Sequence, residues 1–478
     1  MRRSIIYWAL PVVAVLAASG CDNGLTGVND NPNGPTHVDA SFLFPNAVTG
    51  AVGTVLGFSL DEDLTALWAQ QYAENQYNTE DQYDLSDARV SSLWSSFYSG
   101  PLEDFHQILE QADSDSQPNI AAPAQIMQSW TFSIATDLWG DIGYTDALHG
   151  MDAGGTMTPT YDAQQAVYDS LLADLSAAVA RIDANAPTLG AADVIYHGDM
   201  TQWAKFANSL RMRLAMRLSN ADPAKAQSEF AAAYAAGGFT SNADNAELDY
   251  PGDGVWDNPI YDYQKSRADH AISATMVDTL TSMADPRLAI FANPIPVDTD
   301  GSDGWTYRGQ PNGSNYQTPL DSLSTIGSAL TRATSPSVMM SYAEVLFLEA
   351  EAAERGWITG VTAAQLYSDA ITASMQQYGI DQTAIDAYLA QPSVAYAGGS
   401  DGLRQIALQK WIALFGNGPE AYAEWRRTGY PNLTPGPDAL NDGLIPVRLP
   451  YPSIEQQLNS ANLDAAISRQ GGASLNDP

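Results

Sequence analysis

Apolar positions recur three and four residues apart through most of the chain, the spacing that turns one face of a helix toward a core. Leu64, Leu67, Trp68, Gln71 and Tyr72 keep it, with Asp61, Glu62 and Asp63 at the end where acids suit the helix dipole. Val90, Leu93, Trp94, Phe97 and Tyr98 repeat it. Gly100-Pro101 then breaks the run, and Leu102, Phe105, Ile108 and Leu109 begin another. Ile126, Met127, Trp130, Ile134 and Leu138 predict a helix stopped at Gly140. Val167, Leu171, Leu175 and Val179 predict the next, with Thr158, Thr160 and Asp162 as capping candidates. Trp203, Phe206, Leu210 and Leu214 follow, and later helices are predicted at about 338–355, 363–378, 403–415, 418–428 and 453–466. Alternating apolar and polar runs are few. The predicted fold class is therefore mainly α, built from antiparallel helix pairs with minor β content at most. Ser341–Glu354 and the helix from Ala363 to Tyr378 read as a tetratricopeptide-type hairpin, in which small Ala370 and Ala373 let two backbones approach. No strict repeat of about 34 residues recurs, so the spacing alone does not make a regular solenoid.

Two long stretches, about 240–268 and 292–335, lack helix pattern and are rich in Gly, Pro, Asn, Asp and aromatics. Loops of that length in a compact protein are usually functional or disordered, and the aromatic content argues against disorder. Tyr250, Trp256, Tyr261 and Tyr263 lie in the first, and Trp305, Tyr307 and Tyr316 in the second. Sugar rings present C–H faces that stack on Trp and Tyr, while amides and carboxylates bind hydroxyls. Asn258, Asp262, Gln310, Asn312, Asn315 and Gln317 supply such groups nearby. The competing reading is that these aromatics pin the loops to the helical body.

The N-terminus changes the picture more than composition does. Arg2 and Arg3 precede an apolar run from Ile5 to Ala18, shorter than the ~20 residues a spanning helix needs, which is the form of a secretory signal peptide over 1–20. It ends Ala18-Ser19-Gly20-Cys21, similar to a bacterial lipobox in which the Cys is acylated, and Cys21 is the only cysteine in the chain. Residues 21–45, including Asn29-Asp30-Asn31-Pro32-Asn33-Gly34-Pro35, read as an acylated Cys and flexible tether, leaving 46–478 as the folded domain.

With 21 basic against 56 acidic residues the net charge is −35. That excludes phosphate-driven nucleic-acid binding and electrostatic adhesion to anionic lipid. The catalytic inventory is thin. No thiol follows Cys21, the five histidines (His37, His106, His149, His197, His270) show no helix-spaced zinc pair, and no Gly-x-Ser-x-Gly elbow or Walker loop is present. No enzyme activity, catalytic residue, cofactor or metal site is expected. Asp298 to Gly304 invites Ca²⁺, but Asp303 and Gly309 stand where an EF-hand loop needs Gly and Glu, so a solvated turn is the expectation.

Several segments, in order across nearly the whole mature chain, resemble the SusD/RagB-like outer-membrane lipoproteins, in particular the SusD-like subgroup described as starch-binding associated. They are Asn31-Pro32-Asn33, Thr136 to Tyr144, Trp203 to Arg217, Asp285-Pro286-Arg287-Leu288, Glu344 to Ala352, and Glu424 to Pro431. The commoner Gly-Asp-Ile-Pro-Tyr turn carries Gly143 in place of its Pro. The resemblance implies a helical scaffold with tetratricopeptide-like pairs and long ligand-facing loops, lipid-anchored at the cell surface. It implies capture of an oligosaccharide, or in some members a peptide, and its delivery as a lid to a SusC-like TonB-dependent transporter. A surface glycosidase and a structural envelope protein are the alternatives of other classes. Ligand residues vary with substrate in that family, so Tyr250, Trp256, Tyr261, Tyr263, Trp305, Tyr307 and Tyr316 remain the candidates from the residues themselves.

Cys21→Ser is expected to move the protein from the membrane to the soluble fraction on ultracentrifugation.

Overall fold

The computed structural model describes residues 38–477, apart from 151, 153, 268 and 299–302. The signal segment and Cys21 lie outside the described residues. Helix α1 (Ala40–Val55) begins before the tether's expected end at 45, because Phe44 already points into the core with Ala47, Val48, Ala51 and Val52. The helices that follow are α2 (Asp87–Phe97), α3 (Glu103–Ser114), α4 (Pro118–Trp139), α5 (Gln164–Arg181), α6 (Met200–Arg217), α7 (Pro223–Ala236), α8 (Pro259–Gln264), α9 (Ala274–Ser282) and α10 (Leu288–Phe291). The C-terminal half adds α11 (Tyr342–Glu354), α12 (Ala363–Gln377), α13 (Gln382–Leu389), α14 (Gly399–Ala413), α15 (Gly418–Thr428), α16 (Ser453–Leu458) and α17 (Ser460–Gln470).

Capping explains most boundaries. Ser86, Asp199, Asp222, Ser341, Thr362 and Asn417 each accept a backbone N–H from the first turn that follows. Gly140, at φ 82°, ends α4. One expected cap is absent. Asp162 instead accepts the amides of Tyr144 and Thr145, and Asp141, from the preceding turn, accepts Gln164 N at 2.8 Å to start α5.

Helices α3 to α7 pack each on the next, and α11 packs on α12, α11 on α14, and α14 on α15. Short connections join α3 to α4, α6 to α7 and α11 to α12 and make those pairs antiparallel. The result is a stack of helix hairpins of tetratricopeptide type, with α6 against α11 joining its halves. Trp68, Trp130, Trp139, Trp203 and Trp411 are almost fully buried within it.

Strands are short: β1 (Tyr72–Glu74), β2 (Ala246–Leu248), β3 (His270–Ile272), β4 (Ile295–Pro296), β5 (Trp305–Thr306) and β6 (Ser337–Met340). They form three antiparallel pairs, β1 with β3, β2 with β6 and β4 with β5. Two of them displace predicted helix. Asp61–Thr65 is a π-helical turn running into one helical turn, Ala66–Trp68, after which Gln70 adopts φ 54° and Tyr72 enters β1. Side-chain bonds from Gln70 to Thr434 O (2.6 Å) and Gln71 to Trp411 O (2.9 Å) hold that bend against local helix preference. Residues 337–340 are strand β6 because they pair with β2, and α11 starts only at Tyr342. The single helix predicted at 453–466 is two, broken at Asn459, whose amide reaches Pro159 O.

Charged residues tie distant helices together in the interior. Arg213 on α6 forks onto Glu344 on α11 (2.7 and 2.6 Å). Arg217 reaches Glu420 (2.6 Å) and Glu424 (2.7 Å) on α15, and Asp137 on α4 at 3.3 Å. Lys410 on α14 lies 3.2 Å from Glu424, and Arg427 binds both Glu424 and Glu351. Burial alone would raise Glu424, but Arg427, Lys410 and Arg217 outweigh it and hold its carboxyl well below the usual glutamate range. Glu349, on α11, has no such partner charge, and burial pushes it up to about 7.

Arg213→Met leaves Glu344 buried and unpaired, and is expected to cost about 3–5 kcal/mol in urea unfolding. Glu349 titrates near 4.5 when unfolded and near 7 when folded. The stability of its neutral form is complete below pH 4 and is lost as pH rises through 7. Glu349→Gln should therefore match the parent at pH 4 and exceed it by about 1–3 kcal/mol at pH 8.

Candidate functional site

The irregular stretches are built by side chains that grip backbone. In the first, Asp253 accepts the amides of Val255 and Trp256 (2.9 Å each), and Gly254 N donates to Asp257. These backbone N–H groups hold Asp253 below the usual carboxylate range. Asp257 is tied to Lys265 at 2.7 Å. The tight turn leaves Trp256 53% exposed at its tip. Asn258 caps α8 and donates to Ser335 O, so it serves the fold. In the second stretch Trp305 stands on β5, 67% exposed, and Tyr316 is 75% exposed.

A further group, which the sequence did not assemble, gathers around Arg267. Tyr77, exposed at φ 56°, sits under the guanidinium of Arg267, 4.3 Å from its ring centre. Arg267 also lies 5.6 Å from the ring of Tyr263, and it pairs with Asp269. Tyr263 stacks on Phe58 with centroids 3.4 Å apart and donates to Asp269. Asn75 and Asn78 donate to Thr318 O and Ser314 O, drawing the segment with Tyr316 toward Tyr77. A cavity of about 180 Å³ opens here, lined by Glu62, Tyr263, Gln264, Arg267, Asp269 and His270, with Asn293, Thr325, Ile326 and Thr331.

The remaining candidates are placed as follows. Tyr250 is half-buried, bonded to Ser337 Oγ (3.1 Å) and packed on the core, and Tyr307 also packs on the core. Tyr261 is half-buried under the ammonium of Lys265, 4.4 Å away. Of the polar candidates, Gln310 is fully buried and donates to Tyr316 O. Asn312 is buried, donates to Leu67 O, Tyr72 O and Asp81, and accepts from Ser273. Asp262, Asn315 and Gln317 are exposed. In the loop read for Ca²⁺, Asp300 lies outside the described residues, and Asp303 N donates to Asp298 Oδ2 (3.1 Å) within the turn. A larger cleft, about 520 Å³, has Asn242, Glu247, Asn293, Gln376 and Tyr378 among its walls and carries none of the exposed aromatics.

Three histidines gain neighbours that sequence spacing hides. His106 meets His149, ring centres 4.7 Å apart, with Asp152 adjoining. His270, on β3, is buried among Glu62, Asp63 and Glu74. Burial would lower its pKa, but Asp63 and Glu62 outweigh that and raise it.

The family model described as "Starch-binding associating with outer membrane" matches residues 32–452. The chain belongs to the SusD-like family. This SusD-like protein shares its fold with a chitin-binding protein at 29% identity and TM-score 0.81, covering 92% of this chain and 98% of that one. It also matches a chitin-binding SusD homolog from Flavobacterium johnsoniae (26% identity, TM-score 0.80, 91% and 97% covered). A SusD homolog from Bacteroides uniformis matches equally well (25%, TM-score 0.80, 91% and 98%). No curated protein matches the sequence. Among the described residues no helix is long and apolar enough to cross a membrane.

The bonding of Asn312 assigns it to the scaffold of the SusD-like site. Asn312→Ala is expected to lower stability by about 2–4 kcal/mol, read by urea unfolding, through loss of four buried bonds.

Proposed function

We propose that this protein captures oligosaccharides at the outer membrane, held there by acylated Cys21, and hands them unaltered to a SusC-like TonB-dependent transporter. The observation that carries the reading is the set of exposed rings, Tyr77, Trp256, Trp305 and Tyr316, on loops that a helical body holds in place. Exposed Trp and Tyr offer faces on which sugar C–H groups stack, and water has little to lose in leaving them. The family's description as starch-binding and the chitin-binding titles of two similar structures support a glycan as cargo. The family's association with the outer membrane supports the location. The net charge of −35 turns away anionic partners and leaves neutral glycans unaffected. The site requires no chemistry on its guest: stacking and hydrogen bonding suffice for capture.

Calorimetry against chito-oligosaccharides, malto-oligosaccharides and a peptide pool tests the cargo. Binding of a glycan series without turnover is the expected result; binding of peptides alone, or release of shortened sugars, overturns it. Trp256→Ala and Trp305→Ala should each weaken glycan affinity about 3–10-fold with unchanged thermal unfolding, as expected for loss of one stacked ring.

A further inference from the structure

Behind the aromatic group, acidic side chains converge in the protein interior. Asp61, Glu62 and Asp63 come from the π-helical turn, Glu74 from β1, and Asp81 and Asp269 from the flanking loops, all buried. Most of this charge is accounted for. Asp61 accepts the amide of Gly418 at 2.6 Å. Asp81 accepts from Asn312 and from Glu74 N. Asp269 is paired with Arg267. What remains, Glu62, Asp63 and Glu74, faces the imidazole of His270.

Asp63 gives one carboxylate oxygen, Oδ2, to Arg89 at 2.6 Å and turns the other, Oδ1, to His270 Nε2 at 3.1 Å. Glu74 uses Oε2 to accept the amide of Asp81 and turns Oε1 to the same Nε2 at 3.7 Å. Those three ligand-type atoms lie within 4.8 Å of one another. On the other side of the ring, Glu62 places Oε1 3.7 Å from Nδ1, and neither oxygen of Glu62 accepts a hydrogen bond although its side chain is fully buried. Two ligands at ~2.1 Å from a zinc ion and a tetrahedral angle apart are separated by about 3.4 Å. The observed separations fall on either side of that value. A carboxylate behind the far nitrogen of a ligating imidazole is the usual means of fixing its tautomer.

We propose that Asp63, Glu74 and His270 Nε2 bind a divalent cation of the Zn²⁺ class, with Glu62 holding the imidazole from behind. The imidazole favours a d-block ion over Ca²⁺ or Mg²⁺, which prefer oxygen throughout. The ion joins the π-helical turn to the β1–β3 pair and offsets the like charges that Asp63 and Glu74 bring together there. It also steadies the wall of the aromatic group, because the rings of Phe58 and Tyr263 pack at 5.6 and 6.3 Å from that of His270. The 180 Å³ cavity reaches Glu62 and His270, on the side of the imidazole away from the two ligand carboxylates. Without a cation, burial and the facing Asp63 keep Glu74 protonated far above the ordinary glutamate range. A proton shared between Glu74 and Asp63 is thus the rival occupant. The assignment is independent of the glycan reading.

The test uses the full chain in detergent, stripped with a chelator and titrated with ZnCl₂ by calorimetry and with Co²⁺ by visible absorption. It is run in a His149→Ala background, which removes the surface pair with His106. One equivalent of Zn²⁺, a rise in melting temperature and Co²⁺ bands of a mixed nitrogen–oxygen site are expected. X-ray absorption of the zinc form should show a single imidazole in the first shell. Glu74→Gln should abolish uptake, and Glu62→Gln should weaken it about 10–100-fold at unchanged stoichiometry. The proposal is overturned if stripped protein takes up no stoichiometric Zn²⁺, if Glu74→Gln leaves uptake unchanged, or if the first shell lacks an imidazole. Uptake lost with His149→Ala alone overturns it too, by assigning the ion to the surface pair. The spectroscopic arms read the parent site directly, so a variant that fails to fold does not decide the outcome.

Discussion

Glu420 and Glu424, one helical turn apart on α15, are where the scaffold is held in register. Around them gather Arg217 from α6, Lys410 from α14 and Arg427 from their own helix. Charges withdrawn from water demand near-ideal partners, and once matched they tolerate little sliding. A seam of Ala and Leu permits small shifts between helices; forks between guanidinium and carboxylate do not. Helix α6 and the α14–α15 pair, far apart in sequence, thereby acquire one relative position, and the hairpins between them inherit it.

That rigidity is what lets the irregular stretches be long. They contribute little to the core, and their shape comes from side chains bonded to main chain: Asp253 under its turn, Asn258 at the start of α8, and Asn312 bridging Leu67, Tyr72 and Asp81. Loops ordered in this way lose little freedom when a guest arrives, which favours binding without added contacts. Exposed rings stand at the tips, and amide-rich roots hold them from beneath.

How much of this the sequence carries depends on distance along the chain. Helices such as α4, α6 and α12 are written in local spacing: Gly140 stops the first, and Asp199 and Thr362 cap the starts of the other two. Residues 61–72 are not, because bonds from Gln70 and Gln71 to residues more than three hundred positions away bend a segment whose pattern is helical. The start of α5 misleads for the same reason: its cap, Asp141, sits more than twenty residues upstream. The exposure of Trp256, Trp305 and Tyr316 agrees with their setting among Gly, Asn and Asp. The burial of Gln310 and Asn312 does not follow from the same setting. Tyr77 lies in a short polar segment, Asn75-Gln76-Tyr77-Asn78, whose only signal is an aromatic among amides. Asp63, Glu74 and His270 come from three segments, and no spacing rule joins them.

The stacking of Arg267 on Tyr77 has a kinetic consequence. A guanidinium covers one face of that ring, and Phe58 occupies a face of Tyr263 in the same manner. A pyranose that lands on Tyr77 is therefore flanked on one side only, with bulk solvent on the other. Under the proposed glycan capture, such a one-sided seat would fill and empty quickly, with the guest leaving it edgewise.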